Sequence, residues 1–487
     1  MSRFDKDRYA VACSRQICWD AHMNPTVGQI LADLWQVVGG HARALDDVDL
    51  SGAEPALPSS FRVGAAAQAS IAAATAAAAE LWRLRTGHHQ RVSVDMRHAA
   101  VEFRSERYLL VDGKSPSEPW DKIARVYRCG DGRWVRLHTN FPHHRDGVLK
   151  LLGCAYDRDA VAQALSGWQA DAFEQAAADA GLVVAMMRSP AEWDAHPQGQ
   201  ALAELPLMRI EKIGEAPAGE LPDDPQQPLS GVRVLDLTRI IAGPVCGRTL
   251  AAHGADVLNV SGPGLPSVEP LVIDTGRGKR AAHVDLRTQD GKETLQGLVR
   301  AADVFVQGYR PLAIAGHGFD PTALAALRPG IVCVTLSAYG EAGPWADRRG
   351  FDSLVQTASG INHAEAEAAG TTEPKPLPCQ ALDHASGYLL ALGAMIALLR
   401  RAREGGSWHV RVSLAQTGRW ITQLGRLDAG LAAPDPRLED IRDLLEESDS
   451  GFGRLTAVRH AGRLSETPPR WDRPAVPLGT HPPVWLS

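Results

Sequence analysis

The second half of the chain alternates short apolar runs with stretches of helical spacing. The apolar runs lie at 232–237, 256–260, 304–307 and 331–337, and the helical stretches at 244–253, 289–301 and 321–327. Short β-runs that alternate with helices predict a mostly parallel sheet covered on both faces, in a doubly wound, Rossmann-like α/β fold. Such folds bind nucleotides at the carboxyl ends of their strands. We therefore expect a ligand site at that edge.

The first half has a different pattern, which is typical of a smaller α+β region. Its predicted elements are an amphipathic helix at 26–38, an alanine-rich helix from 62 to 86, a strand at 91–95, a hairpin within 122–140, and mainly helical structure at 143–204 with a strand at 182–187. Gly87 is a usual helix stop. A Cys-Gly-Asp-Gly sequence supplies the hairpin turn.

A segment rich in proline and acidic residues separates the two halves. It has few apolar side chains to pack, so it predicts a linker. The resulting division is an N-terminal extension at 1–60, a first region at 61–213, the linker at 214–228, a second region at 229–430 and a closing segment at 431–487.

An internal repeat links the two regions. Residues 81–94 align without gaps on residues 399–412, a shift of 318 positions, and six of the fourteen positions are identical. Each copy is the end of an apolar helix that turns into a strand. The pattern predicts a duplicated helix-strand unit.

Composition and charge exclude several classes of protein. The formal net charge is -6 and no basic tract occurs, so bulk charge does not favour binding to nucleic acid or to an anionic membrane. The seven cysteines are scattered without a CxxC pair, which predicts a reduced, cytoplasmic location and no metal site. The N-terminus has no secretory apolar segment. The most apolar stretch, 64–81, is mostly alanine and predicts a buried helix.

Six motifs in the second region occur in a recognisable order. They are PLSGVRVLDLTRIIAGPVCGRTLAAHGADVLNV at 228–260, RGKRAAHVDLR at 277–287, ADVFVQGYRP at 302–311, LRPGIVCVTLSAYGEAGP at 327–344, RGFDSLVQTASG at 349–360 and ALDHASGYLLALGAMIALLRR at 381–401. This region resembles the class III (CaiB/BaiF-type) CoA-transferase family, which also includes acyl-CoA racemases.

Segments of the first region resemble the rear half and small domain of the same family. The segments are VYRCGDGRWVRL at 126–137 and AGLVVAMMRSPAEWDAHPQGQAL at 180–202, and RPAVPLGTHPPVWL at 473–486 resembles the family's closing segment. The resemblance implies a class III fold in permuted or partly duplicated order. It also implies a homodimer.

The resemblance implies a reaction that moves CoA from an acyl-CoA to a carboxylic acid, with CoA as substrate and no further cofactor. Asp383 matches the family's nucleophile, which forms an aspartyl anhydride and then an aspartyl-CoA thioester. An aspartate, with a reference pKa of about 3.9, is expected to be ionised at neutral pH. Taken alone, the residue type favours a helix N-cap at Asp383, and only the surrounding family pattern favours the nucleophile. The 318-residue shift places Ala65 opposite Asp383, so one catalytic centre is expected.

The remaining candidate site residues follow from the same motifs. The resemblance implies substrate or CoA contacts at Arg239, Ile240, Ile241, Ala242, Lys279, Arg280, Gly308, Tyr309, Phe351 and Asp352. Lys279 and Arg280 suit phosphate binding, although a solvated basic turn explains them equally well. Phe351 stands where the racemases carry a histidine, which disfavours racemase chemistry.

The chain also departs from the family pattern. Asn259 and Ser261 stand where relatives carry Lys and Glu, and Gly316 stands where they carry an arginine. Two basic phosphate contacts are therefore missing. Two alternatives to a CoA-transferase stay open: a catalytically silent CoA-binding or scaffold protein, and an acyl-CoA racemase or isomerase.

Overall fold

A computed structural model describes residues 25–116, 120–219, 221–310 and 312–486. Its helices are α1 (Val27–Val37), α2 (Val63–Thr86), α3 (Met96–Glu102), α4 (Pro142–Leu152), α5 (Arg158–Leu165), α6 (Ala170–Asp179), α7 (Pro190–Ala195), α8 (Pro197–Ala203), α9 (Ala242–Ala252), α10 (Glu269–Gly276), α11 (Gln289–Arg300), α12 (Pro321–Leu327), α13 (Asp352–Ala358), α14 (Ile361–Ala368), α15 (Ala381–Glu404) and α16 (Leu414–Gln423).

The strands are β1 (Val48–Ser51), β2 (Val92–Asp95), β3 (Leu110–Val111), β4 (Val126–Arg128), β5 (Trp134–Leu137), β6 (Val184–Met186), β7 (Met208–Gly214), β8 (Arg233–Leu237), β9 (Asp256–Ser261), β10 (Lys279–His283), β11 (Val304–Gln307), β12 (Val332–Ser337), β13 (Ser407–Ser413), β14 (Leu445–Ser450), β15 (Gly453–Val458) and β16 (Gly462–Leu464). Cys13 and Cys18 lie outside the described residues.

A seven-stranded sheet forms the centre of the molecule. Its order is β10-β9-β8-β11-β12-β13-β7, and every neighbouring pair is parallel except β13 and β7. The four strands predicted from apolar runs all lie in it. A mixed α/β fold with a large, mostly parallel sheet is thus confirmed.

Two strands of this sheet were not predicted. The basic pair Lys279-Arg280 belongs to strand β10, at one edge, and both side chains are buried. The interpretation of this pair as a solvated turn is wrong, because the strand pairs with β9 and the C-terminal tail covers it through a hydrogen bond from the His481 amide to the Ala281 carbonyl. At the other edge, β7 comes from the first region.

Helix α15 is the central helix of the core. It is apolar on all sides and packs against α2, α9 and α16. By length and composition it could cross a membrane, but its most apolar window is entirely buried inside the protein. Gly387 permits its close approach to α9, because a Cβ there would lie 2.7 Å from both the Ala242 carbonyl oxygen and the Val245 Cβ.

The first region forms smaller sheets around this core. The predicted hairpin is present as β4 and β5, and β6 joins it. The predicted linker, 214–228, begins on Gly214, the last residue of β7; its other described residues, 215–219 and 221–228, carry neither helix nor strand. Since β7 lies in the central sheet and α2 packs on α15, the two predicted regions share one core.

The internal repeat has matching architecture in both copies. The shift of 318 positions carries Val63 onto Ala381 and Thr86 onto Glu404, so two helices of 24 residues coincide from end to end. The residues before them have nearly the same backbone, with φ -84 and ψ 61 at Arg62 and φ -76 and ψ 63 at Gln380. Each following strand has one parallel and one antiparallel neighbour. This agreement supports a duplicated unit; the duplication and the permuted order stay predictions.

Candidate active site

Asp383 lies in the first turn of α15 and is 7% exposed. It is not the N-cap, as the simplest interpretation of the residue suggested: that position is Gln380, whose side chain makes no cap hydrogen bond. Asp352 performs the capping. Its Oδ2 accepts hydrogen bonds from the amides of Leu382 (2.8 Å) and Asp383 (3.1 Å). Asp352 therefore holds the backbone of the candidate nucleophile.

The surroundings of Asp383 do not favour its charged form. Burial raises the pKa of Asp383 well above its ordinary value, and the neighbouring carboxylates of Asp352 and Glu106 raise it further. Burial also raises the pKa of Asp352, to about 6. The two aspartates therefore titrate as a pair. The expectation of an ordinary, ionised aspartate at neutral pH therefore does not fit this environment.

His384 is held beneath Asp383 by residues of the first region. Its Nε2 lies 3.1 Å from Glu106 Oε2, and its ring stacks on Phe103 at a centroid distance of 5.5 Å. Burial acts to raise the pKa of Glu106, but the hydrogen bond and charge of His384 bring it below its ordinary value. The pair attaches the first turn of α15 to the first region.

One cavity beside Asp383, of about 490 Å³, collects eight of the predicted site residues. They are Arg239, Ile240, Ile241, Ala242, Gly308, Tyr309, Phe351 and Asp383. It lies where strands β8, β11 and β12 end, as the doubly wound pattern predicts. We call it the arginine cavity, because Arg239, Arg310, Arg348 and Arg349 also line it.

Three of these arginines lack an acidic partner among the described residues. Arg239 donates to the carbonyl of Pro266 and lies over the Phe141 ring at 4.8 Å. Arg349 donates to the carbonyl of Gly181 at 3.1 Å. Burial lowers the pKa of Arg349, and the nearby charge of Arg310 lowers it further. The cavity therefore carries three guanidinium groups that pair with no carboxylate among the described residues.

Ile240 has an unusual backbone at the base of this cavity. Its φ is 75, in the left-handed region that a β-branched residue rarely adopts. The residue precedes α9, whose first turn contributes Ala242 to the cavity wall. Strain of this kind persists only where the surrounding structure fixes it and often marks functional sites.

A second cavity, of about 680 Å³, reaches Asp383 from the other side. We call it the aromatic cavity. His138 stacks flat on Phe351, with ring centroids 3.9 Å apart and an angle of 5°, and Trp120 meets His138 edge-on at 6.1 Å. Glu106 and Asp352 also line this cavity. Much of its wall comes from the first region, which long-range packing alone brings to the site.

Lys279 and Arg280 lie apart from Asp383 and have partners inside the protein. Lys279 Nζ is 2.8 Å from Asp236 Oδ2 and donates to the Pro244 carbonyl at 2.7 Å. Arg280 donates to the Val484 carbonyl at 2.7 Å and pairs with Asp256. They line a third cavity of about 60 Å³. Their role in phosphate binding stays a prediction, and the structure uses both to hold the sheet edge.

The motifs of the second region have their counterpart in a known family. Residues 229–444 match the model of CoA-transferase family III. The resemblance inferred from the sequence is thus confirmed, whereas the match does not address the order of the segments.

Among curated proteins, an acyl-CoA transferase of Gibberella moniliformis is 29% identical over 366 residues, which cover 66% of this chain and 64% of that protein. A probable fatty acyl-CoA transferase of Mycobacterium tuberculosis is 33% identical over 232 residues, or 44% of this chain and 58% of that protein. A crystal structure of the latter protein is 32% identical, with a TM-score of 0.37, over 41% of this chain and 59% of that chain. The chain thus spans between half and two thirds of the length of these relatives.

Proposed function

We propose that the protein is a CoA-transferase that moves CoA from an acyl-CoA to a carboxylic acid, with Asp383 as nucleophile. One observation carries the proposal: a buried carboxyl group, in a segment of CoA-transferase family III, stands where a cationic cavity and an aromatic cavity meet. Five residues line both cavities: Phe141, Ile240, Ile241, Phe351 and Asp383.

The proposed reaction has four balanced steps. An oxygen of Asp383 attacks the thioester carbonyl and expels the CoA thiolate, which leaves an acyl-aspartyl anhydride. The thiolate attacks the aspartyl carbonyl and expels the donor acid as a carboxylate, which leaves an aspartyl-CoA thioester. The acceptor carboxylate then attacks this thioester and expels the thiolate again. Finally the thiolate attacks the acceptor's carbonyl, and Asp383 is released as a carboxylate.

Burial of Asp383 serves this chemistry in two ways. A desolvated carboxylate is a stronger nucleophile than a hydrated one, and an enclosed site protects the anhydride from water. The dipole of α15 offsets part of the cost of the charge on Asp383 in its first turn. The reaction still needs the anion, so the raised pKa of Asp383 sets a lower pH limit on turnover.

The arginine cavity suits the phosphates of CoA. Arg239, Arg310 and Arg349 offer guanidinium groups without acidic partners, and guanidinium forks bind phosphate oxygens in pairs. The N-terminus of α9 adds backbone amides at the same wall. In this proposal these groups take over from the basic residues that the chain lacks at Asn259 and Gly316.

The racemase alternative needs a group that exchanges protons near Phe351. His138 is stacked on that ring, but burial and the charge of Arg136 lower its pKa to about 3. Such a histidine is neutral at physiological pH and a weak base, so it does not replace the missing racemase residue.

Trapping with hydroxylamine tests the proposal. Incubation with an acyl-CoA and hydroxylamine is expected to produce a hydroxamate at Asp383, detected by peptide mass spectrometry. D383A is expected to lose transfer by at least about a thousandfold, because it removes the nucleophile. The exposed Asp290, also in the first turn of a helix, gives the matched control D290A, which should retain full activity.

A CoA-binding protein without catalysis would give a different result. It would bind acyl-CoA, yet show neither a hydroxamate at Asp383 nor transfer. Three further properties stay proposals: a homodimer, a cytoplasmic location and the absence of a metal. Light scattering of the purified chain measures whether it is a dimer.

A further inference from the structure

Asp383 is accessible from two cavities, and this geometry divides the substrate. In the proposed reaction, on which this inference rests, the thioester carbonyl must lie against the Asp383 carboxyl group. The CoA part then extends into one cavity and the acyl part into the other, because both cavities end at the same five residues.

Charge decides which cavity holds which part. CoA is a polyanion, and the arginine cavity carries three arginines without acidic partners among the described residues. The aromatic cavity has two carboxyl groups at its Asp383 end, Glu106 and Asp352. Arg107 also lines it, but lies 3.5 Å from Glu106 and donates to Gln380. Phosphates therefore favour the arginine cavity, and the acyl group is left with the aromatic one.

The aromatic cavity is large for a small acyl group. Its volume is about 680 Å³. An acetyl group occupies the space of about two water molecules, roughly 60 Å³ at liquid density. Most of the cavity would stay filled with water around such a group, and little apolar surface would be covered on binding.

The wall carries four aromatic rings beside its aliphatic side chains. His138 and Phe351 form a stacked pair, Phe141 leans on Phe351 at 6.1 Å, and Trp120 stands edge-on to His138. Burial keeps His138 neutral, so its face acts as an aromatic surface. Rings arranged edge-on and offset bind a further ring well.

We propose that the aromatic cavity is the acyl chamber, and that it selects aromatic acyl groups over acetyl-sized and dicarboxylic ones. The discrimination against dicarboxylic acyl groups follows from Glu106 and Asp352. A free carboxylate on the acyl group would lie in the same enclosed space as these two acids, and like charges in a low-dielectric site repel strongly.

Exchange of a labelled acid into its own CoA thioester tests this selection, because the donor and the acceptor are then the same acid. Isotopically labelled phenylacetate, acetate and succinate are each incubated with their own CoA thioester, and incorporation of label is measured. Phenylacetyl-CoA is expected to have a kcat/KM at least tenfold above acetyl-CoA, and succinyl-CoA is expected to be the poorest of the three.

Val268 provides a variant that narrows the acyl chamber. It lines the aromatic cavity but not the arginine cavity, and it is only partly buried. V268W is expected to lower the ratio of kcat/KM for phenylacetyl-CoA over acetyl-CoA at least tenfold. The matched variant A313F narrows the arginine cavity instead and should raise KM for both thioesters by the same factor, which leaves their ratio unchanged.

The outcomes separate this inference from the proposed function. If no thioester exchanges label, the transferase proposal itself fails. If label is exchanged but the three thioesters have equal kcat/KM, the acyl-chamber assignment is wrong and the transferase proposal stands. The same conclusion follows if A313F lowers the ratio of kcat/KM for phenylacetyl-CoA over acetyl-CoA at least tenfold. The ratio of kcat/KM for phenylacetyl-CoA over acetyl-CoA in the unaltered protein tests the acyl-chamber assignment even if V268W does not fold.

Discussion

At the scale of single residues, the pKa of Asp383 connects the structure to a measurable property. Burial and two neighbouring carboxylates raise it, so the anion that the proposed reaction needs forms only as the pH rises through the raised value. We expect kcat/KM for label exchange to be low at pH 5 and to increase as the pH rises, because the pKa of Asp383 lies well above its ordinary value; measurements from pH 5 to 9 test this.

The variant D352N tests whether the carboxylate of Asp352 contributes to the raised pKa of Asp383. Loss of the Asp352 charge should lower the pKa of Asp383 and shift the rising limb of the profile toward lower pH. The apparent value belongs to the coupled pair in the unaltered protein and to Asp383 alone in the variant. A profile that is flat between pH 5 and 8 would contradict this account.

Single residues also show which parts of the site could be predicted from the sequence. Asp383, Ile241 and Tyr309 were predicted from contiguous motifs, and they line one cavity. Glu106 and His138 carried no local signal, because their place at the site depends on packing across hundreds of residues. Arg349 lies within a quoted motif, but only the structure shows that no carboxylate among the described residues neutralises it.

At the scale of secondary structure, the two matching helices differ at one decisive position. Ala65 occupies in α2 the place of Asp383 in α15, and its amide donates to Glu54 Oε1 at 2.6 Å, as the Asp383 amide donates to Asp352. Each helix therefore begins against a carboxyl group from an upstream segment, which is half-buried in Glu54 and buried in Asp352. Only α15 also carries a carboxylate of its own in the first turn.

A65D is expected to destabilise the protein without creating a second active site. The new carboxylate would be fully buried beside Glu54, a placement that costs about 3–5 kcal/mol. Denaturant unfolding measures the loss, and trapping with hydroxylamine should still mark Asp383 alone. The double variant A65D/E54Q should recover part of the stability, since it removes the like charge; a hydroxamate at position 65 would contradict the expectation.

A buried ion network ties the helices of both regions together. Arg248 on α9 lies 2.7 Å from Asp274 on α10 and 3.8 Å from Glu102 on α3, and the Glu102 carboxylate accepts from the Tyr388 hydroxyl on α15. All three charged groups are about 1% exposed. Burial acts to raise the pKa of Asp274, but Arg248 and Arg277 bring it below its ordinary value.

R248M should therefore leave two buried carboxylates poorly compensated. We expect a loss of about 3–5 kcal/mol in the free energy of unfolding at pH 7. The loss should be smaller near pH 4, where the carboxyl groups can take up protons in the variant. Urea unfolding at both values measures it. D274N combined with R248M should restore part of the stability, and an equal loss at both pH values would contradict this reasoning.

Prediction of the elements succeeded where patterns were strong and failed at the sheet edges. The apolar runs of β8, β9, β11 and β12 are buried on both faces, so they are recognisable. Strand β10 starts with two basic residues whose partners lie far away in the chain. Strand β7 alternates polar and apolar residues just before the linker, where nothing local indicates which sheet it joins.

At the scale of the whole molecule, the predicted boundary at 214–228 does not divide two separate cores. The first region supplies β7 to the central sheet and α2 to the face of α15. Residues 229–487 alone would expose that apolar face. We expect this half to lack a cooperative thermal transition and to bind a hydrophobic dye.

Co-expression with residues 1–228 is the matched control for this half. It should restore the transition, because the missing strand and helix would again cover the core. A sharp transition and an unchanged near-ultraviolet spectrum for residues 229–487 alone would show that the halves fold independently.

The two cavities on either side of Asp383 have a consequence for the course of the reaction. If the sulfur-bearing part rests in the cationic cavity while acids enter and leave through the other, the thiolate never has to cross into solvent between half-reactions. Donor and acceptor acids then compete for one entrance, so an excess of either slows the exchange. The concentration of free thiol in the medium then stays constant, and CoA is transferred from one acid to the next without hydrolysis of the thioester.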